Sequence, residues 1–219
     1  MSVDLEGEFA AAYAAFDALG ERGMERAQAL ELAYDLIGVS RVVTDRTRAR
    51  YKPAAELAEI GDSDGFGANA LIVPALDRDG QALVDLVAVP TAPDYAPWGR
   101  RLGVGCALGL ENGWAAIAAD RPVLLVPLPL AWLRHPWDAV CVLDWNAAPV
   151  EELLRAAPSL VVREGEEAFA RFVHDHLRRP LPRPRNPEIL IAPPGPARIA
   201  RWSLVPSVVR RVEFAFDRP

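Results

Sequence analysis

The sequence predicts an α+β protein, on three observations. Apolar residues close to a 3.6-residue period open the chain. Two runs rich in Val, Leu and Ile flank a DRDG turn in the middle. From residue 122 to residue 177 strand and helix patterns alternate. The expected organisation is an N-terminal helical hairpin over residues 1–40 and a mixed α/β body over 41–178. A linker rich in Pro and Arg, with a C-terminal strand that packs on the body, follows over 179–219.

In the first segment Val3, Phe9, Ala12, Tyr13, Phe16 and Leu19 form one apolar stripe, and Gly20 is a stop signal. Ala27, Leu30, Tyr34 and Ile37 repeat the pattern over 24–37, and Gly38 ends it. Two helices joined by a short turn read as a helical hairpin. A DNA-reading pair would present basic or polar side chains on its second helix. This one offers Glu25, Glu31 and Asp35 against Arg26, which argues against that use.

Residues 44–52, TDRTRARYK, alternate Arg46, Arg48, Arg50 and Lys52. In one extended strand all four would leave the same face. They are the candidate nucleic-acid or anion contacts, a ladder for phosphates. The alternative is a charged edge strand that resists edge-to-edge pairing, or a solvated loop. Gly61 to Gly67 is a loop whose Asp62 and Asp64 suggest calcium, but the twelfth place from Asp62 is Val73 rather than Glu. ALIVPAL, DRDG and QALVDLVAV over 70–89 read as a β-hairpin, with Pro74 marking an edge or a bulge.

Residues 91–99 read as a connection. The glycines at 99, 103, 105 and 109 do not form a dinucleotide loop, because their spacing is one residue too long and no strand precedes them. Strands are expected at Val123–Val126, Asp138–Leu143 and Leu160–Val162. A short helix or turn is expected over 128–134, and helices at Pro149–Ala157 and Glu166–Leu177. That rhythm predicts a small parallel sheet. Arg178 to Pro187 cannot continue a helix and reads as an extended spacer. Ile189–Ala192 and Val208–Phe216 have strand character.

Composition narrows the function classes. A 51% hydrophobic and 25% charged chain of 219 residues is not disordered as a whole. Its longest apolar run, Pro122 to Leu133, is too short to span a bilayer, so no membrane contact is expected. The first twenty residues carry Asp4, Glu6, Glu8 and Asp17 and no basic residue, which is not a secretory pattern, and a cytoplasmic protein is expected. The net charge of -6 is unevenly placed: residues 1–177 hold 27 acids and 15 bases, whereas 178–219 hold 9 arginines and 3 acids. The basic end either meets an anionic partner or packs on the acidic body. Lys52 is the only lysine beside 23 arginines, the mark of a GC-rich genome.

Catalytic constellations are scarce. Two cysteines, Cys106 and Cys141, make neither a disulfide framework nor a zinc set. Cys141 reads as a small buried hydrophobe, and Cys106 is the better placed of the two for a reactive thiol. His174 and His176 are two apart in a helix and cannot share a metal; they read as exposed helix-end residues favoured by the dipole. His135 precedes Pro136 in a loop. Asp144 follows the strand AVCVL at its carboxyl end, where open α/β sheets bind ligands. It is the candidate ligand- or metal-binding acid, and the alternative is a turn or cap before the next helix, shared with Asn146. Glu164 and Gly165 present the same choice. No cofactor and no metal site is expected.

ALIVPALDRDGQALVDLVAV resembles the hairpin that precedes the Toprim catalytic domain of bacterial and phage primases. GRRLGVGCALGL, RPVLLVPLPLAWL and AVCVLDW resemble the elements leading into a Toprim sheet. The resemblance implies a strand ending in Glu-Gly and a later one ending in Asp-x-Asp, whose acids bind magnesium. Here Pro127 follows VLLV, the later strand has Asp144-Trp145-Asn146, and Glu164-Gly165 comes after it, in the wrong order. The zinc-binding cysteines of those primases are absent as well. The chain also resembles uncharacterised proteins from phages and other mobile elements of GC-rich proteobacteria. The leading reading is therefore a non-catalytic accessory or interaction protein, mobile-element-encoded, acting through protein or nucleic-acid contacts. One alternative is a degenerate Toprim-like or nucleotide-handling enzyme that uses Asp144. The other is a structural subunit whose six tryptophans line an interface rather than the core.

Overall fold

The protein is described here by a computed structural model covering residues 3–21, 23, 25, 32, 36–45, 47–58, 67–91, 98–178, 188–192, 200–202 and 213–214. Several expectations fall wholly or mostly outside these residues: the second helix over 24–37, Arg46, the 61–67 loop, the 91–99 connection, the spacer over 178–187 and most of Val208–Phe216. The chain is α+β, as expected, and its strands form a closed five-stranded barrel and a seven-stranded sheet.

Helix α1 (Leu5–Asp17) begins where Asp4 accepts the Gly7 N–H at 3.0 Å, a side-chain cap on an otherwise orphan donor. It packs on the barrel through Leu5, Phe9 and Ala12. The barrel strands are β1 (Gly38–Asp45), β2 (Arg50–Pro53), β3 (Ala68–Leu76), β4 (Leu83–Pro90) and β5 (Gly99–Arg100), with the short helix α2 (Ala54–Ala58) after β2. Their order is β1-β2-β5-β4-β3, and β3 closes on β1 with Ile72 opposite Gly38.

The β3–β4 hairpin is the one read from the sequence, with Val73 opposite Val87. Pro74 lies past the segment of β3 that pairs with β1, as an edge position would; it stays in register with Leu86, and the register shifts further on, between Ala75 and Leu76. The hairpin is buried on both faces. Ala70, Ile72, Leu86 and Ala88 face α1, Val42 and Tyr51, while Val73, Ala75, Val87 and Val89 pack on the seven-stranded sheet. Two buried faces explain why these strands are near-continuous apolar runs rather than alternating ones.

The extended reading of residues 44–52 is corrected. Asp45 Oδ1 accepts from the Thr47 N–H at 2.9 Å, the Thr47 hydroxyl at 2.6 Å and the Arg48 N–H at 3.3 Å, and Ala49 takes a left-handed φ of 48°. These bonds make a turn, so β1 and β2 are two antiparallel strands with Asp45 opposite Arg50.

The sheet is ordered β12-β11-β10-β9-β7-β8-β6. Its strands are β6 (Ala107–Leu108), β7 (Val123–Val126), β8 (Ala139–Val142), β9 (Ser159–Arg163), β10 (Glu188–Ala192), β11 (Ala200–Trp202) and β12 (Glu213–Phe214). Strands β8, β7, β9 and β10 are mutually parallel, and β6, β11 and β12 are antiparallel to their neighbours. One face carries α3 (Leu110–Ala118), α5 (Ala148–Ala156) and α6 (Glu167–Leu177) on Leu125, Val140, Val142, Leu160 and Val162. The other face packs Val126, Ala139 and Cys141 against α4 (Pro129–Trp132) and the barrel. Crossovers to opposite faces make the parallel part doubly wound, and they bring the carboxyl end of β8 beside the barrel.

Candidate functional site

The sequence-predicted residues meet where the barrel adjoins β8. Along β2, Tyr51 points into the barrel, while Arg50 and Lys52 are exposed on the outer side. Strand β5 runs parallel to β2 with Arg100 in register with Arg50. Directly opposed residues of neighbouring strands share a face, so Lys52, Arg50 and Arg100 lie on one side of the barrel, Lys52 and Arg50 exposed and the Arg100 side chain only 12% exposed. Arg48 lies in the preceding turn, 3.9 Å from Asp45.

Arg100 links this side to the sheet. Its Nη1 donates to the Gly105 carbonyl at 2.8 Å and lies 3.9 Å from Asp144 Oδ2. Asp144 sits just past the carboxyl end of β8. Its Oδ1 accepts the Asn146 N–H at 3.0 Å, and its own N–H donates to the Cys106 carbonyl at 3.0 Å. It therefore braces the turn before α5, whose first flanking residue is Ala147, and keeps a partly exposed carboxylate oxygen toward Arg100. Burial pushes the neighbouring Cys106 thiol up, Asp144 pushes the same way and Arg100 opposes it. That environment holds the thiol protonated and does not make a reactive thiolate.

A feature missed from the sequence organises this region. Asp85, on β4, is fully buried. Its Oδ1 accepts the N–H groups of Leu86 at 2.9 Å and Leu102 at 2.8 Å, and its Oδ2 accepts those of Val104 at 2.8 Å and Gly105 at 2.9 Å. Four backbone donors offset the burial of the charge. The signal was present as a lone acid in the run LVDLVAV. On the inner side, Arg101 donates to Glu8 of α1 at 2.8 Å and pairs with Glu56 of α2, and the Tyr51 hydroxyl donates to Glu8 at 3.2 Å. Burial, then Glu8, pushes the Tyr51 hydroxyl far up and keeps it a donor.

The histidine reading is corrected in part. His174 is half-buried beside Asp175 at 3.2 Å, and His176 is buried, edge-on to Trp145 with ring centroids 5.2 Å apart. The stripe Phe169, Phe172, His176 meets Trp145, so residue 176 falls on the packed side of α6. His135 Nδ1 lies 3.2 Å from an Arg163 guanidinium nitrogen, and Gly165 takes a positive φ of 91° before α6. Cys141 is buried, as expected, and burial pushes its thiol up.

The primase resemblance implies magnesium, so the donor set is the test. Pro127 follows β7, Asn146 stands two residues after Asp144, and the charged neighbour of Asp144 is Arg100. Among the described residues no group of three or more His, Cys, Asp or Glu is placed to hold a metal. Paired-metal chemistry needs acids on both sides of the ions. The described residues do not fit it. Among the described residues no helix is long and apolar enough to cross a membrane.

No protein-family model matches the chain, and no curated protein matches it in sequence. Solved structures do resemble it. The E. coli primase catalytic core is similar with a TM-score of 0.52 and 13% identity, over 86% of this chain and 70% of that one. A DNA primase domain from Pseudomonas aeruginosa is similar with a TM-score of 0.52 and 14% identity, over 87% of this chain and 71% of that one. At such identities the likeness is one of fold, and it supports the primase-like resemblance of the hairpin and the sheet.

Proposed function

We propose that this protein is a nucleic-acid-associated accessory protein, encoded by a mobile element and working in the cytoplasm, on a primase-type fold without a magnesium pair. The observation that carries the reading is the register of β2 and β5. It puts the exposed Arg50, with Lys52 on the same face, beside Arg100, whose largely buried side chain joins them to Asp144. Guanidinium groups suit phosphate oxygens, and a row of them tracks a backbone without reading sequence. Asp144, engaged by Arg100 and the turn before α5, serves here as the end-stop of these basic residues. The near-exclusive use of arginine supports a GC-rich source.

The test is binding of the purified protein to single- and double-stranded DNA and RNA across a salt series. Affinity is expected to fall linearly on a log–log plot of affinity against salt. Replacing Arg48, Arg50 and Lys52 together by Gln is expected to lower that slope by about 2, at roughly 0.7–0.9 per lost phosphate contact. No binding at low salt would remove the reading. Magnesium-dependent primer synthesis that is lost in Asp144→Asn would replace it with the alternative of a Toprim-like enzyme.

A further inference from the structure

We propose that the cavity between α1, the outer face of β1, β3 and β4, and α4 binds an aliphatic carboxylate, its chain on an apolar floor and its head at Arg41. The cavity shares no lining residue with Arg50, Arg100 or Asp144, so it is a second site, apart from the nucleic-acid reading.

Strand register builds the floor. Val39 is opposite Leu71, and Leu71 is opposite Val89. Opposed residues share a face, so these three make one apolar row across the strands. Two residues along, about 7 Å further on, Arg41 is opposite Asn69. Thr91 extends this second row, its N–H and its hydroxyl donating to the Asn69 carbonyl at 2.9 and 3.0 Å. The alternating neighbours Val42 and Ala70 turn the other way, into the core with Tyr51. One cavity of about 870 Å³ touches both rows. Sites for small organic ligands run from roughly 300 to 1,000 Å³ and are mostly apolar with a few placed polar groups.

The walls and the charge select the ligand. Phe16 and Leu19 at the end of α1 and Leu130 of α4 close the sides. Leu19 and Leu130 are 51% and 41% exposed, so an apolar chain laid between them takes their surface out of water. Among the described lining residues, Arg41 carries the only charge. It is exposed, and its Nε donates to the Gly67 carbonyl at 3.5 Å. A guanidinium presents its N–H donors in a planar fork that matches a carboxylate. The cavity thus offers one positive charge, a short polar row and a longer apolar surface. Its complement is an amphiphile with one negative charge. A phosphate monoester would bring close to two charges against one.

The experiment is isothermal titration of the full chain with hexanoate, octanoate, decanoate and dodecanoate below their micelle concentrations, and with octanol. One carboxylate is expected per chain, with affinity rising roughly tenfold for each two added methylenes. Octanol is expected to bind about tenfold more weakly than octanoate. Arg41→Gln is expected to bring octanoate down to that level and to leave octanol unchanged, so octanol also reports that the variant is folded. Leu130→Gln, at an exposed position, is expected to weaken octanoate and octanol alike, by roughly threefold. No binding up to dodecanoate, several ligands per chain, or an affinity indifferent to chain length would overturn the proposal. Octanol binding as tightly as octanoate, or an Arg41→Gln variant with the far-UV spectrum of the parent that loses both alike, would overturn the assignment of the head to Arg41. A Leu130→Gln variant that binds both ligands as the parent does would remove the chain from this cavity.

Discussion

The barrel and the sheet are held together by different physics. Among the described residues, the two buried charged side chains, Asp85 and Arg101, both belong to the barrel. The core between the sheet and α3, α5 and α6 is built from Val, Leu and Ala. The barrel needs polar ties around β5, although β1, β3 and β4 are eight or nine residues long. β5 has two residues, so the loop that follows carries N–H groups that no ladder satisfies, and a buried carboxylate takes them. The sheet meets its backbone donors in its own ladders and is stabilised by volume. Charge and direction matter in one region, filled space in the other.

Volume-conserving substitutions separate the two most sharply. Asp85→Asn keeps the shape but halves the carboxylate acceptors and puts N–H donors against N–H donors. A loss of about 3 kcal/mol in urea unfolding is expected, as for a broken buried charged network. Leu153→Met in the sheet core, equally conservative in volume, is expected to cost less than about 1.5 kcal/mol. Equal losses would erase the distinction between the regions. The second tie should respond more weakly, because Glu56 is partly exposed. Arg101→Met keeps the apolar stem, removes the partner of Glu8 and Glu56, and is expected to cost about 2 kcal/mol. Adding Glu8→Gln should recover about 1 kcal/mol of that. Simple additivity of the two changes would show that the contact contributes nothing to stability.

The same contrast explains what could be read from the sequence. The hairpin β3–β4 and the strands β7, β8 and β9 were legible because burial on both faces writes continuous apolar runs with turn residues at their ends. The barrel ties left fainter marks. β5 and β6 are two residues long and exist because neighbouring strands pair with them. Helix α3 starts after Gly109, in a left-handed conformation and with no side-chain cap, so it carried no start signal. The basic row was misplaced because Asp45 folds the chain into a turn through a side chain that looked like one more charge in a charged segment. Asp144 was legible from its place after a strand. Its partner Arg100 was not, because that contact joins two layers distant in the chain.

The smallest expected effect lies where the two regions touch through the hairpin tip. Arg78 of that tip sits 3.6 Å above the Trp114 ring of α3 and 3.5 Å from Glu152 of α5. One turn before Trp114, Glu111 has a buried carboxylate oxygen with no hydrogen-bond partner. Burial pushes its carboxyl above the ordinary value of 4.5, and Asp77 at the tip adds to the push. At this carboxyl the native protein therefore holds the proton more tightly than the unfolded chain. The contribution of Glu111 to stability is full below the ordinary value and falls as pH rises through the raised one. Glu111→Gln is expected to flatten that decline, by less than either change in the barrel, since Glu111 is only half-buried. Unfolding free energies of both proteins from pH 4.5 to neutrality give the slope. If the decline is as steep without the carboxyl, its origin is elsewhere, and the tip is held by the Arg78 stack rather than governed by a proton on the sheet side.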